Sequence, residues 1–174
     1  PDDTLDYGAL DNGKWFMMVN GQPWEAYDAL GSDAYSADGQ HLAYSATRGN
    51  SEYAVLDGKE SRPYDEVGSI VLSPDGKRLG YNARMGHKWF VVVDGQAGPD
   101  FDDLYVNSPM FSADSKRVAY SGTLGASDYI VVDGVLSEPY TLVYKYSPSF
   151  LLNGTHVVWG KKERTVYRVK SAVR

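Results

Sequence analysis

The chain has 174 residues, 43% of them hydrophobic, which is enough to bury a core, and its lack of cysteine excludes a disulfide framework, thiolate catalysis and cysteine zinc sites. A formal net charge of -6 leaves no basic face to neutralise phosphates, so no nucleic-acid partner is expected. The longest apolar runs, Trp89 to Val93 and Tyr129 to Val132, fall far below the roughly 20 residues of a membrane helix, so no membrane span is expected either.

The composition leans to strand, with 14 Tyr and 18 Gly in short apolar clusters separated by turn formers. One motif recurs, and its strands are lettered a to d in chain order. Residues 4 to 31 carry b, c and d without a preceding a: Trp15-Phe16-Met17-Met18-Val19 reads as strand c, Asn20-Gly21 as a turn, and Pro23-Trp24 with Tyr27-Asp28 as the outer segment. Residues 32 to 67 form a first full unit. Ser36-Ala37-Asp38-Gly39 makes the a–b turn, Leu42-Ala43-Tyr44 strand b, Tyr53 to Gly58 strand c and its turn, and Pro63-Tyr64-Asp65 the outer phrase.

Residues 68 to 104 show the unit most clearly. Ser69 to Leu72 is a short apolar strand a. Pro74-Asp75-Gly76 supplies a fixed φ and then a positive one, as a tight turn needs. Strand b runs Arg78 to Asn82, a loop passes through Gly86, and strand c, Lys88 to Val93, is apolar enough to be covered on both faces. Asp94-Gly95 is a type I′ hairpin signal, and an edge strand d carrying Pro99 is expected to run toward Asp102-Asp103-Leu104.

Residues 105 to 143 repeat the unit with Ser112-Ala113-Asp114-Ser115, Val118-Ala119-Tyr120, Tyr129 to Gly134 and Pro139-Tyr140-Thr141. Residues 144 to 174 carry a worn a, b and c: the turn at Leu152-Asn153-Gly154, then Val157-Val158-Trp159 and Tyr167-Arg168-Val169-Lys170. The turn aspartates Asp38, Asp75 and Asp114 stand 37 and then 39 residues apart. A sheet of four short strands cannot cover both its faces, and equal sheets stacked around an axis cover one another. The expected fold is therefore an all-β propeller of four-stranded antiparallel blades, with three full units between two incomplete ones.

Ser73-Pro74-Asp75-Gly76-Lys77-Arg78-Leu79-Gly80-Tyr81 and Ser112 to Tyr120 resemble the TolB-like, WD-repeat-like propeller repeats, and the resemblance spans the whole chain. It implies the propeller fold and a periplasmic or extracellular setting; relatives include interaction proteins and propellers beside peptidase domains. The Trp-Asp dipeptide of true WD repeats is absent.

No residue pattern points to catalysis. His41 and His156 follow a–b turns and His87 sits in a b–c loop, with no metal-ligand spacing among them. Asp38, Asp57, Asp75, Asp94, Asp114 and Asp133 recur in every unit, as turn chemistry requires, whereas a catalytic residue appears once. Asp102-Asp103 as calcium ligands, the Asn153-Gly154-Thr155 sequon and the C-terminal basic run from Lys161 to Arg174 all read as turn or solvated-surface features. No metal and no cofactor are expected.

The b–c loops differ most between units, and variable loops on a rigid scaffold carry binding. Arg48, Arg84 and His87 are the candidate contact residues there. The function expected is a non-enzymatic binding or assembly scaffold whose partner is another protein or further copies of itself. Two alternatives stand beside it. One is a self-assembling filament or ring subunit, the chain then being an open arc completed by another copy; the other is a non-catalytic propeller of a larger enzyme such as a peptidase. The ragged terminal units fit three closures: part of a larger propeller of six to eight blades, which is the favoured one, an open arc, or a five-bladed ring with two ragged blades. A chain starting at Pro1, with no charged-then-apolar leader, also fits a processed or excised product.

Overall fold

The structure is a computed structural model that describes residues 6–105, 108–144, 148–150, 156–162 and 165–171. The Leu152-Asn153-Gly154 turn with its sequon, and Arg164 and Arg174 of the basic run, lie outside the described residues. All regular structure described is β. Among the described residues no helix is long and apolar enough to cross a membrane.

Five antiparallel sheets follow one another in chain order, and none closes into a barrel. Sheet 1 holds three strands, β1 (Tyr7–Asp11), β2 (Lys14–Val19) and β3 (Gln22–Tyr27). Sheet 2 holds β4 (Ala29–Tyr35), β5 (Leu42–Arg48), β6 (Ser51–Leu56) and β7 (Lys59–Glu60). Sheet 3 repeats it with β8 (Glu66–Leu72), β9 (Leu79–Met85), β10 (Lys88–Val93) and β11 (Gln96–Ala97). Sheet 4 combines β12 (Asp103–Leu104), β13 (Met110–Phe111), β14 (Val118–Leu124), β15 (Ser127–Val132) and β16 (Val135–Leu136). Sheet 5 has β17 (Leu142–Val143), β18 (Ser149–Phe150), β19 (His156–Lys162) and β20 (Thr165–Ser171).

The two-residue change in spacing has a location. In sheets 2 and 3 strand a is continuous with one bulge, between Leu30 and Asp33 and between Gly68 and Val71. In sheet 4 it is split into β12 and β13, both paired to β14, and in sheet 5 into β17 and β18, both paired to β19.

Several strand limits in sheet 3 differ from expectation, and strand b runs from Leu79 to Met85 where Arg78 to Asn82 was expected, because Ala83, Arg84 and Met85 still pair with Phe90, Trp89 and Lys88. Strand a of sheet 3 begins at Glu66 rather than Ser69, because Glu66, Val67 and Gly68 already pair with Arg84, Ala83 and Asn82 before the chain bulges at Ser69, where φ is 27°. Strand d of that sheet stops at Ala97 and does not reach Leu104. Pro99 has no N–H to continue the ladder. Phe101 makes one last bridge to Trp89, and Asp103 and Leu104 then pair with Thr123 and Gly122 of the following sheet.

That crossing is the repeated joint of the molecule. Tyr64 exchanges both backbone hydrogen bonds with Glu52, Phe101 with Trp89, and Tyr140 with Asp128. One residue later the chain has changed sheets: Asp28 N–H donates to Thr47 O, Asp65 N–H to Arg84 O, and Asp102 N–H to Thr123 O, at 2.8, 3.0 and 2.8 Å. The junction ring meets an aromatic of the next sheet edge to face. Tyr27 lies against Tyr44 at 6.2 Å, Tyr64 against Tyr81 at 5.8 Å, and Phe101 against Tyr120 at 6.4 Å between centroids.

The core is accordingly divided among the joints. Alternate residues of each b and c strand point to opposite neighbours, as a period of two demands. Tyr44, Ala46 and Val55 pack on Met17 and Tyr27 of sheet 1, while Ala43 and Ala54 of the same strands pack on Tyr81, Ala83, Phe90 and Val92 of sheet 3. Val91 joins Phe101, Tyr120 and Val131 at the next joint. At Gly122 this packing leaves no room for a side chain, since a Cβ there would lie 2.7 Å from the Asp103 carbonyl oxygen and 2.8 Å from the Phe101 ring. Gly122→Ala is expected to cost about 1–3 kcal/mol in urea unfolding, and Val135→Ala, at a site 72% exposed, to stay within about 0.5 kcal/mol.

Candidate interaction surface

Each sheet has two working edges, one holding the a–b and c–d turns and the other the b–c turn. On the first edge the recurrent aspartates are tied down locally. The Asp-Gly turns place Asp57, Asp94 and Asp133 at φ of 49, 51 and 51°, the left-handed values of a type I′ turn. Their carboxylates then reach across to strand b: Asp57 accepts from Leu42 N–H and His41, Asp94 from Leu79 N–H and Arg78, and Asp133 from Val118 N–H and Arg117.

The a–b turn is closed in the same repeated way. Ser36, Ser73 and Ser112 donate to Asp38, Asp75 and Asp114 and accept from His41, Arg78 and Arg117 N–H. Those hydroxyls hold the three carboxyls below the ordinary carboxylate range. Adjacent turns also touch: Asp75 N–H donates to Ser115 Oγ at 3.0 Å, and Arg78 donates to Lys116 O at 3.0 Å.

On the opposite edge the aspartate that ends each junction phrase caps the next b–c turn. Asp28, Asp65 and Asp102 accept from Gly49, Gly86 and Gly125 N–H at 2.7, 2.6 and 2.7 Å. Lys14 and Lys88 bind Asp28 and Asp102 and hold them below the usual range.

Arg48 stands at this edge between sheets 1 and 2. Its guanidinium pairs with Glu60 at 2.8 Å and Glu25 at 3.5 Å and lies over the Tyr27 and Tyr53 rings at 4.9 and 5.6 Å. Burial and the bond to Glu60 push the Tyr27 hydroxyl well above the ordinary phenol range. Arg84 bonds Glu66 and the Gly86 carbonyl and lies over Trp89 at 5.8 Å. His87 is exposed at the tip of the same turn. Arg84 and His87 thus share one turn, and Arg48 belongs to the turn of the preceding sheet. Both arginines are engaged as struts between neighbouring strands.

Two positions that the sequence reading passed over stand out once register is known. Tyr7 pairs with Met18 as Tyr44 pairs with Val55, Tyr81 with Val92 and Tyr120 with Val131. The three internal tyrosines are 0, 2 and 2% exposed, and Tyr7 is 49% exposed. Ala9, Phe16 and Met18 share its face by pairing. Counting five residues back from the Asn12-Gly13 turn would have identified Tyr7. The second is the residue three places before each junction aromatic: Trp24, Ser61, Gly98 and Ser137.

No family model and no curated protein sequence matches this chain. Among solved structures it is similar to the β-propeller domain of the Trilobed protease from Pyrococcus furiosus, which has an open velcro topology: TM-score 0.53, 12% identity, 83% of this chain and 57% of that one. It is also similar to TolB from Acinetobacter baumannii, with TM-score 0.48 and 17% identity over 95% of this chain and 51% of that one. A third is hydrazine synthase of Kuenenia stuttgartiensis, TM-score 0.43, 14% identity, 85% and 49%. The first of these supports the propeller-like all-β fold. The chain spans about half the length of these structures.

The His41–Asp57 pair, 2.8 Å long, raises the histidine above its ordinary 6.5, chiefly through the Asp57 hydrogen bond. A raised folded value means that the pair stabilises fully below pH 6.5 and is lost as pH rises through the folded value. NMR titration of the His41 ring is expected to give a midpoint above 6.5 that falls back in Asp57→Asn; a wild-type midpoint at or below 6.5 contradicts the pairing.

Proposed function

We propose that this propeller segment is a non-enzymatic interaction and assembly module, and that sheet 1 offers another copy of the chain the face that sheets 2, 3 and 4 bury against their predecessors. The observation that carries the reading is Tyr7. It occupies the register position of Tyr44, Tyr81 and Tyr120 and is the one of the four left half-exposed. Met18 beside it is partly exposed, whereas its counterparts Val55, Val92 and Val131 are fully buried. Among the described residues β1 pairs with β2 alone, and its second edge is where a strand of the other copy would add. Head-to-tail contacts of this kind give rings or filaments.

A second reading keeps the face and changes its occupant. In a larger enzyme, with a peptidase domain beside the propeller, the covering blade belongs to the same polypeptide; the likeness to the propeller domain of a protease, only part of whose length this chain spans, favours it. An extracytoplasmic setting belongs to both readings through the resemblance of the repeat.

Sedimentation velocity on the 174-residue chain separates them. Assembly through sheet 1 is expected to appear as association that grows with concentration and is abolished by Tyr7→Glu, with far-UV circular dichroism unchanged. A chain that stays monomeric up to about 1 mM, a weak-affinity limit, contradicts assembly and leaves the larger-protein reading.

A further inference from the structure

The joints between sheets 1 and 2 and between sheets 2 and 3 each form a cleft beside the c–d turn, built from matching positions. Sequence register aligns Val19, Gln22 and Trp24 of sheet 1 with Leu56, Lys59 and Ser61 of sheet 2. Across the cleft it aligns Gln40, Leu42, Tyr44 and Gly58 with Lys77, Leu79, Tyr81 and Gly95.

In the first cleft the chain supplies its own occupant for the inner end, and an open space of about 520 Å³ bounded by Trp24, Gln40 and Leu42 remains beside it. The Trp24 indole stacks on the Tyr44 ring, centroids 6.3 Å apart and planes at 27°, and reaches to 3.6 Å from where a Cβ on Gly58 would be. In the second cleft the same place holds Ser61, whose hydroxyl is turned back to the strand and accepts from Ala54 N–H. No atom comes within 4 Å of a Cβ position on Gly95. A space of about 400 Å³ remains, walled by Ala54, Leu56, Leu79 and Tyr81. The third joint keeps a cleft of similar size, about 370 Å³ between Val91, Val93, Val118 and Tyr120, but its rim has Gln96 where the second has Lys59, and the Tyr120 hydroxyl lies in the place of a Cβ on Gly98.

The rim changes with the occupant. Gln22 and Gln40 of the first cleft become Lys59 and Lys77 in the second, both exposed and in no ion pair among the described residues. The carboxylates lining the cleft are engaged elsewhere, Asp94 by Arg78 and Leu79 N–H and Glu60 by Arg48 and Tyr27; Asp75, which feels the Lys77 charge, lies outside the lining and is bound by Ser73. An aromatic-sized, apolar-walled hollow thus opens between two unpaired cations.

We propose that the cleft between sheets 2 and 3 binds one large aromatic side chain, best an indole, presented by a partner protein segment with carboxylates on either side of it. The aromatic sits against Leu56 and Leu79 beside Gly95, in the place that Trp24 takes beside Gly58, and the flanking carboxylates meet Lys59 and Lys77. Aromatic anchors in desolvated pockets with charges at the rim are the usual division of labour at an interface. The site is separate from the sheet 1 face, so either proposal can fail without the other.

The probe is a dye-labelled heptapeptide with one tryptophan flanked by aspartates, followed by fluorescence anisotropy and by amide shifts of Leu79 and Gly95. Saturable binding below about 1 mM is expected, with those two amides among the largest shifts. Replacing the peptide tryptophan by alanine, or Lys59 and Lys77 together by Glu, is expected to weaken binding at least about tenfold. Ser61→Trp, which gives the second cleft the occupant of the first, is expected to do the same. Absence of saturable binding overturns the proposal, as does equal binding of the alanine peptide or affinity unchanged in both the lysine variant and a folded Ser61→Trp chain. Leu79 and Gly95 shifts that follow protein concentration instead of peptide point to a second copy as occupant and also overturn it.

Discussion

An aromatic ring that closes one sheet and enters the next is the interaction on which the rest of this structure depends. At Tyr64 and Phe101 the backbone makes its last exchange with the sheet it is leaving, and the ring already faces an aromatic of the sheet ahead. The following aspartate reaches forward to a b–c turn amide. Proline ahead of the aromatic ends strand d by removing a donor, so the chain is free to cross. One short phrase therefore ends a strand, packs an interface and caps the next hairpin.

This economy explains why so many polar side chains are structural. The turn aspartates, their serine partners and the cations at the start of strand b form a closed hydrogen-bonded set that recurs from sheet to sheet. Recurrent interactions of this kind fix geometry and distinguish no ligand. What distinguishes one place from another is a departure from the repeat: Tyr7 exposed where its counterparts are buried, and Ser61 where the preceding joint has Trp24.

Much of the fold was legible because the turns carry local chemistry. Asp94-Gly95 specifies a positive-φ pair without reference to anything distant, and the burial of Phe90 to Val92 within the apolar run Lys88 to Val93 shows in its composition. The limits of strand a were not legible. Whether Glu66 pairs before the bulge at Ser69 depends on Arg84 across the sheet, and the two residues added in sheet 4 fall between the two halves of strand a, Asp103–Leu104 and Met110–Phe111. Arg48 and Arg84 look alike as loop cations in sequence; that both are braced by glutamates and aromatic faces follows only from the packing of neighbouring strands. Tyr7 and Ser61 carry no motif of their own and become informative only when aligned to their counterparts by register.

If the junction aromatic couples adjacent sheets, its energy must depend on the ring it meets. A double-mutant cycle in urea unfolding with Phe101→Leu, Tyr120→Leu and the pair measures this directly. A coupling of about 0.5–1.5 kcal/mol is expected, the range of an edge-to-face aromatic pair. Single changes that simply add, to within about 0.3 kcal/mol, would contradict it.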